Sequence, residues 1–414
     1  MTQGGPNPPC PFLVNLDTFH WLRSTDGQML LAELAERTFT EADALREIER
    51  LRRRVAPELA RAAFELALLR RRARVKFPQA DRLYFTREAL EQASATSVAT
   101  HRAARFADGH YHHIADLGCG VGGDALAFAA AGVTVTAVDR DPLRLALCQA
   151  NAAALGLAER VSTHAQDLLA EPPPLADALF CDPGRRAGGR RRFSVTDYEP
   201  PLAHVLRWQA QTPALAVKLG PGVDLAELPA DAEVEFVSLN GELKEATLWC
   251  GPLAQVARRA TVLHTAADGA VETHTLLTSH TGSSPSSLVL PPAAFLYEPD
   301  PAVLRAGLVT DLGAQLGAAQ LDAQIAYLTA PQHTATPFAR VWPVLTWLPF
   351  SLKALRARLR SLDAGAVTVK KRGSPLDTDA LARQLSGDGA RPLVVVLTQV
   401  AGRPAVLICD LMVQ

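Results

Sequence analysis

Residues 114 to 124 read Ile-Ala-Asp-Leu-Gly-Cys-Gly-Val-Gly-Gly-Asp, an apolar run that ends in an acid, turns on glycine and enters an Ala-rich segment. Strand, glycine turn and helix start in this order are the construction of a nucleotide-cofactor loop on a doubly wound α/β sheet. Gly118, Gly120 and Gly122 lack a Cβ, so the turn can take positive φ and bring its backbone close to a ligand. A lone glycine-rich turn also serves as a plain strand-to-helix connection. What distinguishes this one is the series of acids downstream.

A second strand, Val133 to Val138, ends in Asp139, placed about 20 residues past the glycines for ribose hydroxyls. A helix from Pro142 to Leu155 leads to a third strand, Val161 to Ala165, with Asp167 beyond it to reach adenine or its flanking loop. A fourth, Ala178 to Cys181, ends in Asp182-Pro183-Gly184-Arg185, and a fifth, Ala214 to Leu219, ends in Gly220-Pro221-Gly222. Any one of these acids also fits a helix N-cap. Four acids after successive strands fit a ligand site at the carboxyl ends of the sheet. Asp116 stands two residues before the first glycine, where it would repel an anionic pyrophosphate. It suits the ammonium and sulfonium of S-adenosylmethionine (SAM), so SAM is the expected cofactor and a dinucleotide oxidoreductase the most distant alternative.

On these residues the chain resembles a known family. Residues 94 to 250 are similar to class I SAM-dependent methyltransferases: Asp116-Leu117-Gly118-Cys119-Gly120 resembles motif I, Asp139 motif II, Asp167 motif III and Asp182-Pro183-Gly184-Arg185 motif IV. Glu233 to Trp249 resembles the closing antiparallel hairpin of that fold. The whole chain resembles a bacterial family in which a helical region precedes the methyltransferase and a THUMP-like domain follows. The resemblance implies a Rossmann-like α/β sheet and three parts: a helical region over 1–93, a SAM-dependent methyltransferase domain over 94–252 and a smaller α+β THUMP-like domain over 258–414. It implies that Asp116, Gly118, Gly120, Gly122, Asp139 and Asp167 hold SAM, and it associates the last domain with RNA.

Composition sets outer bounds. The 414 residues suggest two or three domains, and 48% hydrophobic with 21% charged residues fits a soluble globular chain. The net charge of −1 supplies no global field for a polyanion. Six cysteines, none in C-x-x-C spacing, argue against a zinc site and suit reduced thiols in a cytoplasmic protein. Met1 to Pro11 lacks a basic start and an apolar core, so no signal peptide is expected, and no stretch is long and apolar enough for a membrane span.

Residues 1–15 are Pro/Gly-rich, and a helical pattern follows to Lys76. Thr40 with Asp43 reads as a capping box, and Pro57 suits a first helical turn. Arginines crowd the ends of both helices, at 50 and 52–54 and at 70–72 and 74, where cations complement the helix dipole or contact RNA. Thr86 starts a further helix leading through His101, Arg102 and Arg105 into the first strand. In the C-terminal part Asp268-Gly269 signals a hairpin, Ser279 to Ser287 a loop, Asp300 to Ala330 a helical stretch and Leu352 to Leu362 a helix. Strands are expected at 366–371, 393–397 and 405–411, with a helix at 377–385.

Methyl transfer from an activated donor needs mainly alignment and a free lone pair on the acceptor. Asp182 and Pro183, with Arg185 beside them, match the start of the Asp-Pro-Pro-aromatic loop of enzymes that methylate exocyclic base nitrogens. Gly184 and Arg185 depart from it, and Phe193 or Tyr198 would supply stacking instead. Pyrimidine-C5 enzymes share Asp-Pro-x-Arg but need a cysteine after the fifth strand, where this chain has Lys218-Leu219-Gly220. Ribose 2′-hydroxyl enzymes use a Lys-Asp-Lys-Glu set, and Asp182, Lys218 and Glu245 match three of the four. The basic run Arg185-Arg186-Ala187-Gly188-Gly189-Arg190-Arg191-Arg192 suits single-stranded nucleic acid, as a solvated loop also would. Lys370-Lys371-Arg372 is a second candidate RNA contact. The expectation is therefore a SAM-dependent methyltransferase acting on structured RNA, tRNA or rRNA, at a base nitrogen ahead of the ribose 2′-hydroxyl, with no membrane and no metal partner. A small-molecule or protein methyltransferase and a non-catalytic RNA-binding protein with a SAM fold remain as alternatives.

Overall fold

The structure, a computed structural model, describes residues 15–184, 186–187, 190–191, 194–278, 288–373 and 377–411. The Pro/Gly-rich start and the loop expected at 279–287 lie outside the described residues, as do Arg185, Arg192 and Phe193. The chain forms two compact units, one of residues 1–227 with 249–253 and one of residues 228–248 with 254–414.

The first unit begins with a helical layer: α1 (Leu16–Arg23), α2 (Thr25–Ala35), α3 (Ala44–Leu51) and α4 (Pro57–Ala73). Local chemistry sets its boundaries. Asn15 caps α1 through the Thr18 amide, Ser24 caps α2, and Thr40 and Asp43 form the capping box ahead of α3. Pro57 occupies the first turn of α4, where a missing N–H costs nothing. Thr86 caps a short α5 (Arg87–Gln92), and the chain breaks at Ala93–Ala95 before α6 (Thr96–Asp108). The single helix expected from Thr86 is therefore two, because Lys76 draws the chain out of line. Its Nζ donates to the carbonyls of Leu90 and Ala93, which end α5.

Five parallel strands follow: β1 (His113–Leu117), β2 (Thr134–Asp139), β3 (Val161–Ala165), β4 (Ala178–Cys181) and, after the two-residue strands β5 (Arg186–Ala187) and β6 (Arg190–Arg191) and the short α9 (Leu202–Leu206), β7 (Leu215–Leu219). Helices α7 (Gly123–Ala130) and α8 (Pro142–Ala154) make the crossovers. The strand order β7-β4-β1-β2-β3 puts the direction change between β1 and β4, where such sheets bind ligands. One face is sealed by Phe106, Phe128, Phe180 and Trp249, whose ring centroids stand 5.2–5.5 Å apart. Each such pair contributes about 1 kcal/mol beyond the area it buries.

The helical layer is not a separate appendage. Phe19, Leu31, Phe64 and Leu69 share one apolar cluster with Val121, Leu147 and Ala150 of the cofactor half. Asn151 of α8 clasps the layer: its Oδ1 accepts from the Tyr84 amide at 2.7 Å, and its Nδ2 donates to the carbonyls of Tyr84 and Val121 at 3.0 Å. The arginines at the helix ends are mostly engaged within this layer. Arg50 and Arg54 pair with Glu33, Arg72 with Glu41 and Arg74 with Asp81, while Arg71 donates to the carbonyls of Leu34, at the end of α2, and Phe39 and lies over the Phe39 ring.

The second unit opens with β8 (Glu233–Leu239) and β9 (Glu242–Cys250), sheet neighbours joined at Asn240-Gly241, where both residues take positive φ as a tight two-residue turn requires. Residues 249 and 250 of β9 belong to the first unit. Next come β10 (Arg258–Thr265) and β11 (Val271–Leu277), turning at Asp268-Gly269. A seven-stranded sheet then forms from β12 (Phe295–Pro299), β13 (Ala319–Asp322), β14 (Ile325–Ala330), β15 (Ala339–Pro349), β16 (Ala364–Lys371), β17 (Arg391–Val400) and β18 (Arg403–Cys409), in the order β13-β14-β12-β15-β18-β17-β16. Its helices are α10 (Pro301–Ala306), α11 (Val309–Leu316), α12 (Leu352–Ser361) and α13 (Thr378–Leu385). The helical stretch expected over 300–330 ends at Leu316. Gly317 adopts a left-handed C-cap, and residues 319–330 form the β13–β14 hairpin.

Candidate active site

The carboxyl ends of β1, β2 and β4 open onto a cavity of about 380 Å³, in the size range of ligand pockets. Its floor is the turn after β1. Gly118, Gly120 and Gly122 all take positive φ, and Gly122 opens α7. The turn is pinned from below, since the amides of Gly118 and Cys119 donate to the Val138 carbonyl at 2.8 and 3.0 Å. Only glycine fits at two of these positions: a Cβ on Gly118 would stand 2.9 Å from the Asp182 carbonyl oxygen, and one on Gly122 would stand 2.7 Å from the Cys148 sulfur.

Asp116 closes the back of the cavity at 1% exposure, and neither of its carboxylate oxygens has a hydrogen-bond partner among the described residues. Burial, then the neighbouring Asp182 carboxylate, pushes it up to about 7. The charge of Arg102, the Ala125 amide and the charge of Lys218 pull it back without offsetting the burial. A buried acid left without a donor costs stability, and a cation in the cavity would relieve it. Asp139 lines the same cavity at 5% exposure. It accepts the Gly120 amide at 3.1 Å and the Asp141 amide at 3.0 Å, which fixes its carboxylate beside the turn. Asp167 is exposed on the rim and accepts the Leu169 amide. The remaining wall is α5, which contributes Glu88, Glu91 and Gln92. Arg144 ties that wall to the floor, 3.4 Å from Glu88 and 3.9 Å from Asp139. Acids outnumber bases around this cavity, which suits a ligand with an ammonium and a sulfonium against one carboxylate. The residues present therefore fit SAM.

Beside this cleft lies the end of β4. Lys218 of β7 is 3% exposed, and its Nζ donates to Asp182 Oδ2 at 2.6 Å. The described residues leave Asp182 Oδ1 without a donor, and Asp182, Pro183 and Gly184 all line the cavity. Gly184 pairs with Glu199, and Glu199 meets Arg140 of the β2 loop at 2.7 Å. Arg186, Arg190 and Arg191 fall on the two-rung antiparallel ladder of β5 and β6. Tyr198 is 3% exposed, and its hydroxyl accepts the Gly220 amide at 3.1 Å. It is a brace between the acceptor segment and β7, which corrects the expectation that it offers a free ring for stacking. Glu245 belongs to the second unit, where it is buried and accepts from Thr247.

Two groups were not singled out from sequence. Arg102 of α6 is buried under the glycine turn, paired with Asp124 and stacked over Phe180 at 4.7 Å. The α5 wall was likewise unmarked, and its only sequence signal was the run of acids at 88 and 91 after the Thr86 cap. In the second unit, Lys370 donates to Glu298 at 2.6 Å, Arg372 stands 3.8 Å from the same carboxylate, and Lys371 is exposed. Among the described residues no helix is long and apolar enough to cross a membrane, and no group of acids, histidines and cysteines is arranged to hold a metal.

Comparison with known proteins fits this geometry. Residues 114–182 match a family described as a methyltransferase domain, residues 339–411 one described as THUMP domain-like, and residues 15–73 a domain of unknown function. The chain is 38% identical over 350 residues to an uncharacterized S-adenosylmethionine-dependent methyltransferase of Mycobacterium tuberculosis, found in strains CDC 1551 and H37Rv, covering 81% of this chain and 92% of that protein. A crystal structure from Porphyromonas gingivalis W83, described as that of a methyltransferase, shares the fold with a TM-score of 0.68 at 20% identity, over 90% of this chain and 99% of that one. With a cleft at the switch point of its sheet whose lining fits SAM, and a relative matching along most of its length, the chain belongs to this family of SAM-dependent methyltransferases with a THUMP-like C-terminal domain.

Proposed function

We propose that this cytoplasmic enzyme methylates a base nitrogen of structured RNA, tRNA or rRNA, with Asp182 and Pro183 as the acceptor-orienting residues. The observation that carries the reading is the Lys218–Asp182 pair beside the SAM cleft, with one carboxylate oxygen left to accept. Bound SAM supplies a methyl group on a positively charged sulfur. An exocyclic amino group donating one N–H to Asp182 Oδ1 and another to a backbone carbonyl of the 182–184 segment would be held in one plane. Its nitrogen lone pair would then be directed at the methyl carbon. The N–C bond forms as the S–C bond breaks, and the nitrogen sheds its extra proton towards Asp182 or water. Lys218 holds the carboxylate in one rotamer throughout. The strands carrying Arg186, Arg190 and Arg191 follow directly on this loop and supply cations for phosphate contacts. Arg185 and Arg192 extend the same basic run in the sequence. The THUMP-like match, within which Lys370, Lys371 and Arg372 fall, favours RNA over protein or small-molecule acceptors.

The test is methyl-labelled SAM supplied with total RNA from a strain lacking this gene, beside matched DNA and protein fractions, with Asp182→Ala as control. Label entering RNA only with the intact enzyme supports the reading, and digestion to nucleosides then identifies the atom. Label in protein or small molecules overturns it.

A further inference from the structure

The second unit contains a cavity of about 630 Å³, remote in sequence from the SAM motifs. It is bounded by the end of β12, the start of β15, the end of β16, the Asn240-Gly241 turn and His264 of β10. Its charges are unequal. Glu298 holds Lys370 at 2.6 Å and Arg372 at 3.8 Å, and it faces Arg340 across the β12–β15 ladder. Arg340 is exposed and makes no hydrogen bond or salt bridge among the described residues. The other lining acid, Asp300, is buried, caps α10 through the Ala302 amide and also feels the charges of His264 and Arg340. Lys370, Arg372 and Arg340 thus stand against the two carboxylates of Glu298 and Asp300, which leaves a surplus of one positive charge.

These cations are also held in place. The Lys370 ammonium lies 4.7 Å over the Trp342 ring and the Arg372 guanidinium 5.2 Å over Tyr327, so both charged heads sit on buried aromatic faces. Gly241 admits Arg340: a Cβ there would stand 2.8 Å from its Nη2. Arginines carrying surplus charge in a concave site match the bidentate geometry of a phosphate group.

We infer that this cavity binds the phosphate of a nucleotide, with Arg340 and Arg372 as its donors and Glu298 as the anchor that positions Lys370 and Arg372. The phosphate is carried either by an RNA strand or by a free nucleotide, and only the first source rests on the RNA reading. The experiment titrates AMP, and separately a short single-stranded RNA, into the full-length protein and its Arg340→Ala variant, with SAM titration as the control for folding. Arg340 is exposed, so the variant keeps the fold and its SAM affinity. The expected result is AMP binding that falls at least about tenfold in Arg340→Ala, since a charge-assisted bidentate contact is lost. RNA that displaces AMP assigns the strand as carrier and lowers the salt slope of RNA binding by about one in the variant. AMP binding that RNA does not displace assigns a free nucleotide. Affinities for AMP and RNA that are unchanged in Arg340→Ala, with SAM binding intact, overturn the inference. Failure of methyl label to enter RNA would strike the proposed activity and leave this titration standing.

Discussion

The Cβ that Gly118 lacks would lie 2.9 Å from the carbonyl oxygen of Asp182, so the cofactor turn and the acceptor loop are in van der Waals contact through a missing side chain. The register of β1 with β4, Leu117 opposite Cys181, brings the two loops to this distance. One substitution should therefore disturb both halves of the site. Gly118→Ala, also at φ +86°, is expected to cost about 1–3 kcal/mol and to weaken SAM binding and turnover together. Calorimetric titration with SAM alongside denaturant melts checks this, and an unchanged SAM affinity would refute it.

Asp116 gives a pH dependence of defined sign. Its folded value, up to about 7, lies above that of an unfolded aspartate. Its stabilising effect is thus complete below about pH 4, where the side chain is neutral in both states, and is lost as pH rises to about 7. Ionisation is what a cationic ligand needs, so SAM affinity should increase through the same window. Asp116→Asn should flatten the SAM profile and raise the melting temperature of the ligand-free protein at pH 8. Titrations at pH 6 and pH 8 with both proteins decide the matter.

Lys218→Met keeps the side-chain volume and removes the donor to Asp182. SAM affinity should stay within about threefold while single-turnover methyl transfer falls by at least about 100-fold, the pattern of a lost transition-state contact. Equal losses in binding and transfer would instead make Lys218 a packing residue.

Asn151→Ala removes three hydrogen bonds and leaves the Tyr84 amide and two carbonyls unpaired in a buried site. A loss of about 3 kcal/mol is expected, read as a lower urea midpoint. A change below about 0.5 kcal/mol would mean that the helical layer is held by its apolar contacts alone.

The parallel sheet is plain in the sequence because its chemistry repeats. The strands that lead up to Asp116, Asp139 and Asp182 are short apolar runs closed by an acid, and β3 and β4 have the bounds expected of them. Residues 319–330 misled because their apolar spacing suits a helix face and a strand equally. Gly317 and the pairing of β14 with β12 decide between them, and the latter is a long-range contact. Arg102 looked like one more basic residue on α6, since its partner Asp124 is reached only when α6 packs against α7. Tyr198 read as an exposed aromatic on a basic loop, yet it is buried because β7 brings Gly220 to its hydroxyl. Local pattern located the cofactor loop, whereas partners distant in sequence set the roles of these residues.

The α5 wall also bears on how the protein is made. Residues 88–92 leave the ribosome before any strand of the sheet they will cover, and Asn151, which clasps the preceding segment, emerges some sixty residues later. The part of the layer's apolar cluster that Leu147 and Ala150 complete therefore stays open until α8 is synthesised. Cofactor capture then comes after a late step of nascent-chain folding, and a ribosome stalled before residue 151 would hold a chain with its glycine turn complete and its cleft still missing that latch.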